Sequence, residues 1–147
     1  MNLRLRPSAL EGIVLGKPHV VRDLCEQLHL ENNPSRKADI IRALGYSQDE
    51  FAIRHVLPYL DFRNKKFGIP ANREVQVEAA FALVKLGDPV IVDRVAKRIE
   101  ETSSRKTKWE LANALWHFVG LAKLNERLSN RMEGEVKKAE ALAKKYH

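Results

Sequence analysis

One unit returns along this chain at a loose interval of roughly thirty residues, and no other sequence feature limits the possible folds as much. Leu15-Gly16-Lys17-Pro18-His19-Val20-Val21 comes back as Leu86-Gly87-Asp88-Pro89-Val90-Ile91-Val92. Leu44-Gly45 and Val119-Gly120 mark two further copies. A unit this short cannot enclose its own apolar side chains, so each copy must bury them on its neighbours, as the units of a solenoid do. Such folds are usually surfaces for binding.

Each copy reads as two helices joined by a turn. In the third, Val75, Ala79, Ala82, Leu83 and Leu86 share one helical face. Gly87 follows where a helix end favours positive φ, with Asp88 as N-cap and Pro89 at the first helical position. The next helix points Val92, Val95, Ala96 and Ile99 inward. In the first copy a short helix from Ala9 to Leu15 ends at Gly16, and Pro18 opens a second with Val21, Leu24, Cys25 and Leu28 inward. In the second, Asn33-Pro34 starts a helix bearing Ala38, Ile41 and Leu44, which Gly45 ends. Ser47 and Glu50 have capping-box spacing ahead of a helix with Ile53, Val56, Leu57 and Leu60, kinked at Pro58. The fourth starts near Ser104 or Thr107, carries Leu111, Ala112, Leu115, Trp116 and Val119, and turns at Gly120. Its partner helix carries Leu124, Leu128 and Met132. Leu28, Leu60, Ile99 and Met132 fall in one equivalent column.

The expected fold is therefore all-α: a right-handed α-solenoid of about four helical hairpins, at 7–30, 33–61, 73–101 and 104–132, forming one domain. Two segments break the period. Residues 61–72 form a long inter-repeat loop, of the kind that carries binding determinants. Residues 133–147 form a Lys-rich helix with Val136, Ala139, Leu142, Ala143 and Tyr146 on one stripe, expected to cap the last repeat.

These motifs resemble the HEAT repeat family, and most closely the short HEAT-like repeats of the phycobilisome lyase type. The resemblance rests on Glu78-Ala79-Ala80-Phe81-Ala82-Leu83 through Leu86-Gly87-Asp88-Pro89 and on the turn Leu15-Gly16-Lys17-Pro18. Ala43-Leu44-Gly45 matches in the first helix alone, and Gly120 is followed by Leu121-Ala122 where the pattern has Asp-Pro. Covering roughly residues 7–132, the resemblance implies an α-solenoid that binds proteins or, in some members, nucleic acid. Bilin attachment needs much more than this repeat and is not carried over.

Composition narrows the function classes. A hydrophobic content of 44% argues against disorder over the whole of the 147 residues. No apolar run approaches the roughly 20 residues of a membrane span, and no signal-like apolar segment follows Met1. Cys25 is the single cysteine, which excludes an internal disulfide and fits a reducing compartment. The expectation is a cytoplasmic protein without a membrane partner. Cys25 itself reads as a buried structural thiol. No catalytic constellation is visible: His19, His29, His55, His117 and His147 form no cluster at metal-ligand spacing, and no phosphate loop is present. His55 reads as a surface or edge residue. A non-enzymatic module with no metal and no cofactor is expected.

The net charge of +7 favours an acidic partner. If the second helices line the concave side, as the HEAT resemblance implies, Arg94, Arg98, Arg127 and Arg131 form two outward rows, with Lys97 beside them and Tyr59 as an aromatic contact. Arginines in such rows suit carboxylates and phosphates alike. Arg63, Lys65, Lys66 and Arg73 form a second basic group, interleaved with Phe62 and Phe67; these rings either grip a ligand or tuck the loop against the solenoid. Arg105, Lys106 and Lys108 form a third basic turn, or nothing more than a solvated connection. Trp109 and Trp116 are seven apart on one helix face; Trp109, at the helix start, is a candidate for stacking, whereas Trp116 aligns with Leu83 and reads as core. The expected function is a scaffold that binds an acidic protein or peptide. Nucleic-acid binding through the same surface is the alternative, and a lyase-like helper needing a partner chain is a third.

Overall fold

A computed structural model describes residues 7–60, 72–87, 90–125 and 130–146. Among them the delimited elements are all α-helices, with no strand. They are α1 (Pro7–Val14), α2 (Pro18–Leu30), α3 (Pro34–Gly45), α4 (Phe51–Leu60), α5 (Asn72–Leu86), α6 (Ile91–Glu101), α7 (Arg105–Leu124) and α8 (Glu133–Lys145).

Local chemistry sets most of the helix ends. Gly16 and Gly87 take φ of +70° and +74°, which lets the chain leave α1 and α5 without the steric cost that a Cβ would bring. Pro18 and Pro34 occupy the first turns of α2 and α3, where a missing N–H costs nothing. The Asn33 side chain accepts from the backbone N–H of Ser35 at 2.9 Å and of Arg36 at 3.3 Å. Ser104 caps α7 by accepting from Thr107 N–H at 3.2 Å. Before α4 the expected capping box does not form. Ser47 Oγ instead donates to the Leu44 carbonyl at 2.7 Å, Gln48 takes φ of 54°, and Asp49 accepts from Phe51 N–H at 3.0 Å. Ser47 Oγ also accepts from Asp49 N–H at 3.2 Å, two residues on and one short of the capping-box position.

The helices contact one another in two rows. In one, α1 meets α3, α3 meets α5 and α5 meets α7. In the other, α2 meets α4, α4 meets α6 and α6 meets α8. Helix α5 contacts α3, α4, α6 and α7, and its Val75, Gln76, Ala79, Ala80, Ala82, Leu83 and Val84 are all buried. The sequence reads it as one-sided, but its alanines admit neighbours around more of its circumference. Leu28, Leu60, Ile99 and Met132, the column read from the sequence, are all buried.

Two expectations change at the C-terminal end. Gly120 marks no turn: α7 continues through it to Leu124, because a helical glycine is tolerated where tertiary packing holds the rest of the helix. Leu124 is 87% exposed and does not point into a core. The place against α6 and α7 is taken by α8, which buries Val136, Ala139 and Ala143. Asp88 and Pro89 of the expected third turn, Leu128, and the loop 61–71 lie outside the described residues.

Two glycines give opposite forecasts. A Cβ at Gly45 would stand 3.0 Å from Ala82 Cα and 3.1 Å from its Cβ, so α3 packs on α5 at this point because no side chain intervenes. Gly45→Val should cost about 1–3 kcal/mol through overpacking. A Cβ at Gly120 would meet nothing within 4 Å, so Gly120→Ala should stabilise the chain by about 0.5–1 kcal/mol. Urea unfolding midpoints of the two variants should move in opposite directions.

Candidate functional site: a basic aromatic groove

The expected arginine rows do not form as read. Arg98 is buried at 8% exposure and turns toward α5. Its guanidinium donates to Gln76 Oε1 at 3.1 Å and to Glu101 Oε2 at 3.2 Å. Tyr59 is also buried, its hydroxyl against the Leu28 carbonyl at 3.3 Å. Neither presents the outward side chain that the sequence suggests. The helical wheel places both opposite the inward stripe, but neighbouring helices cover that side too, α2 at Tyr59 and α5 at Arg98. Arg94 is half-buried, Arg131 is exposed, and exposed Lys97 lies 4.0 Å from Glu101. Arg127, Arg63, Lys65 and Lys66 lie outside the described residues. Arg73 belongs to α5 and is committed to Glu110 of α7, Nη2 to Oε1 at 2.7 Å and Nε to Oε2 at 3.3 Å.

A different basic cluster is assembled by the fold. Arg105, Lys106, Lys108 and Trp109 come from the first turns of α7. Lys145 and Tyr146 come from the end of α8. The six line a cavity of about 660 Å³. The helices meet in opposite directions, since Lys108 near the start of α7 has its Nζ 5.7 Å from the ring centre of Tyr146 at the end of α8. Lys145 Nζ lies 5.3 Å from the same ring. Cation–π attraction at these distances holds two ammonium groups beside the phenol. Among the described lining residues there are four cations and two aromatic rings, with no carboxylate. Trp109 is 48% exposed, which leaves part of the indole open to the cavity. The N-terminal end of α7 adds the positive end of a helix dipole, and Lys144 and Lys145 offset the negative end of α8.

Four of the six residues stand out in the sequence, but not as one site: Arg105, Lys106 and Lys108 read as a basic turn or a solvated connection, and Trp109 reads separately as a possible contact. Lys145 and Tyr146 carry no local sign of belonging with them and read as part of a cap.

A polar chain links α2 to α4. Tyr59 has one hydroxyl proton; given to the Leu28 carbonyl, it leaves the phenol oxygen to accept from His29 Nδ1 at 3.1 Å. His29 Nε2 then accepts from His55 Nδ1 at 2.9 Å. His55 Nε2, at the far end, is buried with no hydrogen-bond partner among the described residues. His55 is thus half-buried and bonded, more enclosed than a surface residue. Lys37 Nζ lies 4.8 Å from the Tyr59 ring centre, and burial lowers the Lys37 pKa. Cys25 is buried as expected, and burial pushes its thiol up to about 11. Among the described residues no group of three or more His, Cys, Asp or Glu could hold a metal ion, and no helix is long and apolar enough to cross a membrane.

Comparison with protein-family models, with curated proteins and with solved structures finds no match to this chain.

Two forecasts follow from these contacts. Arg98→Ala removes charge-assisted hydrogen bonds to buried Gln76 and to Glu101 and should cost about 1.5–3 kcal/mol in chemical unfolding. Acid should also weaken the fold. The His55 pKa is lowered by burial, then by His29 and Arg54, so the unfolded chain takes up this proton first as pH falls. The contribution is complete above the ordinary value of 6.5 and is lost as pH drops through the lower folded value. Thermal unfolding from pH 7.5 downward should show that decline. His55→Asn, which keeps a donor in place of Nδ1, should flatten it.

Proposed function

We propose that this chain is a non-catalytic nucleic-acid-binding module and that the groove between the ends of α7 and α8 is its contact surface. The observation that carries the reading is the groove's lining: four cations and two aromatic rings around one cavity. Cations supply attraction for phosphates, and exposed rings supply stacking faces for bases. An acidic protein or peptide is the less favoured partner, because Arg98 and Tyr59, two anchors of the expected concave patch, are buried. The two rows of helix contacts support a HEAT-like solenoid as the framework. Within that framework α8 would take the place of a second helix in the last hairpin.

The test is a binding titration with a labelled oligonucleotide at several salt concentrations. Log affinity should fall linearly with log salt. Lys106→Glu combined with Lys145→Glu, one change on each helix of the groove, should weaken binding roughly tenfold or more and make the salt slope shallower. Lys97→Glu, on α6 and away from the groove, should leave both unchanged. Co-purification of a stoichiometric protein that survives nuclease, with no oligonucleotide binding, would return the acidic-protein reading to first place.

A further inference from the structure

We infer that the groove takes an unpaired base together with its neighbouring phosphates, so that single-stranded nucleic acid is its ligand and duplex is not. The inference rests on the nucleic-acid reading above and narrows it.

Three features of the site carry it. The first is concavity. The six side chains line an open groove of about 660 Å³, a volume in the range of small-ligand sites. A base with its sugar and phosphate fits such a space. The second is the exposed indole of Trp109, at 48% exposure. Stacking needs access to the flat face of a base, and in a duplex both faces are covered by neighbouring bases. Exposing one costs a few kcal/mol of unstacking, whereas a single strand offers its faces at little cost. The third is the placement of charge. Lys108 and Lys145 flank the Tyr146 ring, and exposed Arg105 and Lys106 line the same cavity as Trp109. Cations placed beside rings can meet the phosphates on either side of a stacked base.

The same lining predicts little sequence preference. Flexible cations and a phenol offer no fixed pair of donor and acceptor for the edge of one particular base, while every base has a face to stack.

The experiment compares three labelled ligands of equal phosphate number at one salt concentration: a single-stranded oligothymidylate, a hairpin duplex, and an abasic single strand. Each is titrated against the wild-type chain, Trp109→Ala and Trp109→Phe, with circular dichroism confirming that the variants fold. The expected result is at least fivefold tighter binding of the oligothymidylate than of the other two. Trp109→Ala should lose that advantage and Trp109→Phe should keep most of it. Equal binding of all three ligands, unaffected by Trp109→Ala, would overturn the single-strand inference and leave the nucleic-acid reading standing. Binding of none of them would overturn both.

Discussion

The close approach of α3 to α5 is the contact on which the rest of the packing depends. Gly45 meets Ala82 with no side chain of its own between the helices, and α5 presents Ala79, Ala80 and Ala82 to its neighbours. Small residues let helix axes come together and let one helix be covered from several directions. Because α5 can be enclosed in this way, α3, α4, α6 and α7 all find a surface on it. Leu83 and Val84 supply larger apolar bulk where the neighbours leave room.

Polar contacts then fix how the rows register. Arg42 reaches Glu78 from α3 to α5 at 3.5 Å, Arg73 reaches Glu110 from α5 to α7, and Lys138 of α8 contacts Asp93 of α6. Arg98 turns inward from α6 to buried Gln76 of α5. The exposed Lys138–Asp93 pair adds little stability, the Arg42–Glu78 and Arg73–Glu110 pairs are better shielded from solvent, and breaking the Arg98–Gln76 contact takes a hydrogen bond from two buried side chains. A charge that reads as part of a binding surface is here a structural tie.

The groove is a consequence of the last helix pair. Helix α8 runs back along α7, so its C-terminal Lys145 and Tyr146 arrive beside the first turns of α7. Its burial of Val136, Ala139 and Ala143 is what holds those two residues there. The apolar stripe expected to cap the fold is therefore also the device that completes a basic, aromatic cavity. One helix serves both roles because its inner face packs while its end reaches past the packed region.

The turns at Gly16 and Gly87, the helix start at Asn33-Pro34, and most inward residues of α2, α6 and α8 were legible in the sequence alone. Each depends on interactions within about one helical turn, where residue type and spacing suffice. The turn misread at Gly120 shows the limit of that logic: a glycine ends a helix only where packing does not continue it. The tertiary structure decided everything that joins distant segments. It brought Lys145 and Tyr146 to Trp109, set His29 Nε2 against His55 Nδ1, and buried Arg98 and Tyr59. A helical wheel gives the direction a side chain leaves its own helix. Whether solvent or another helix waits there is determined by contacts between residues far apart in the chain, and no local pattern records them.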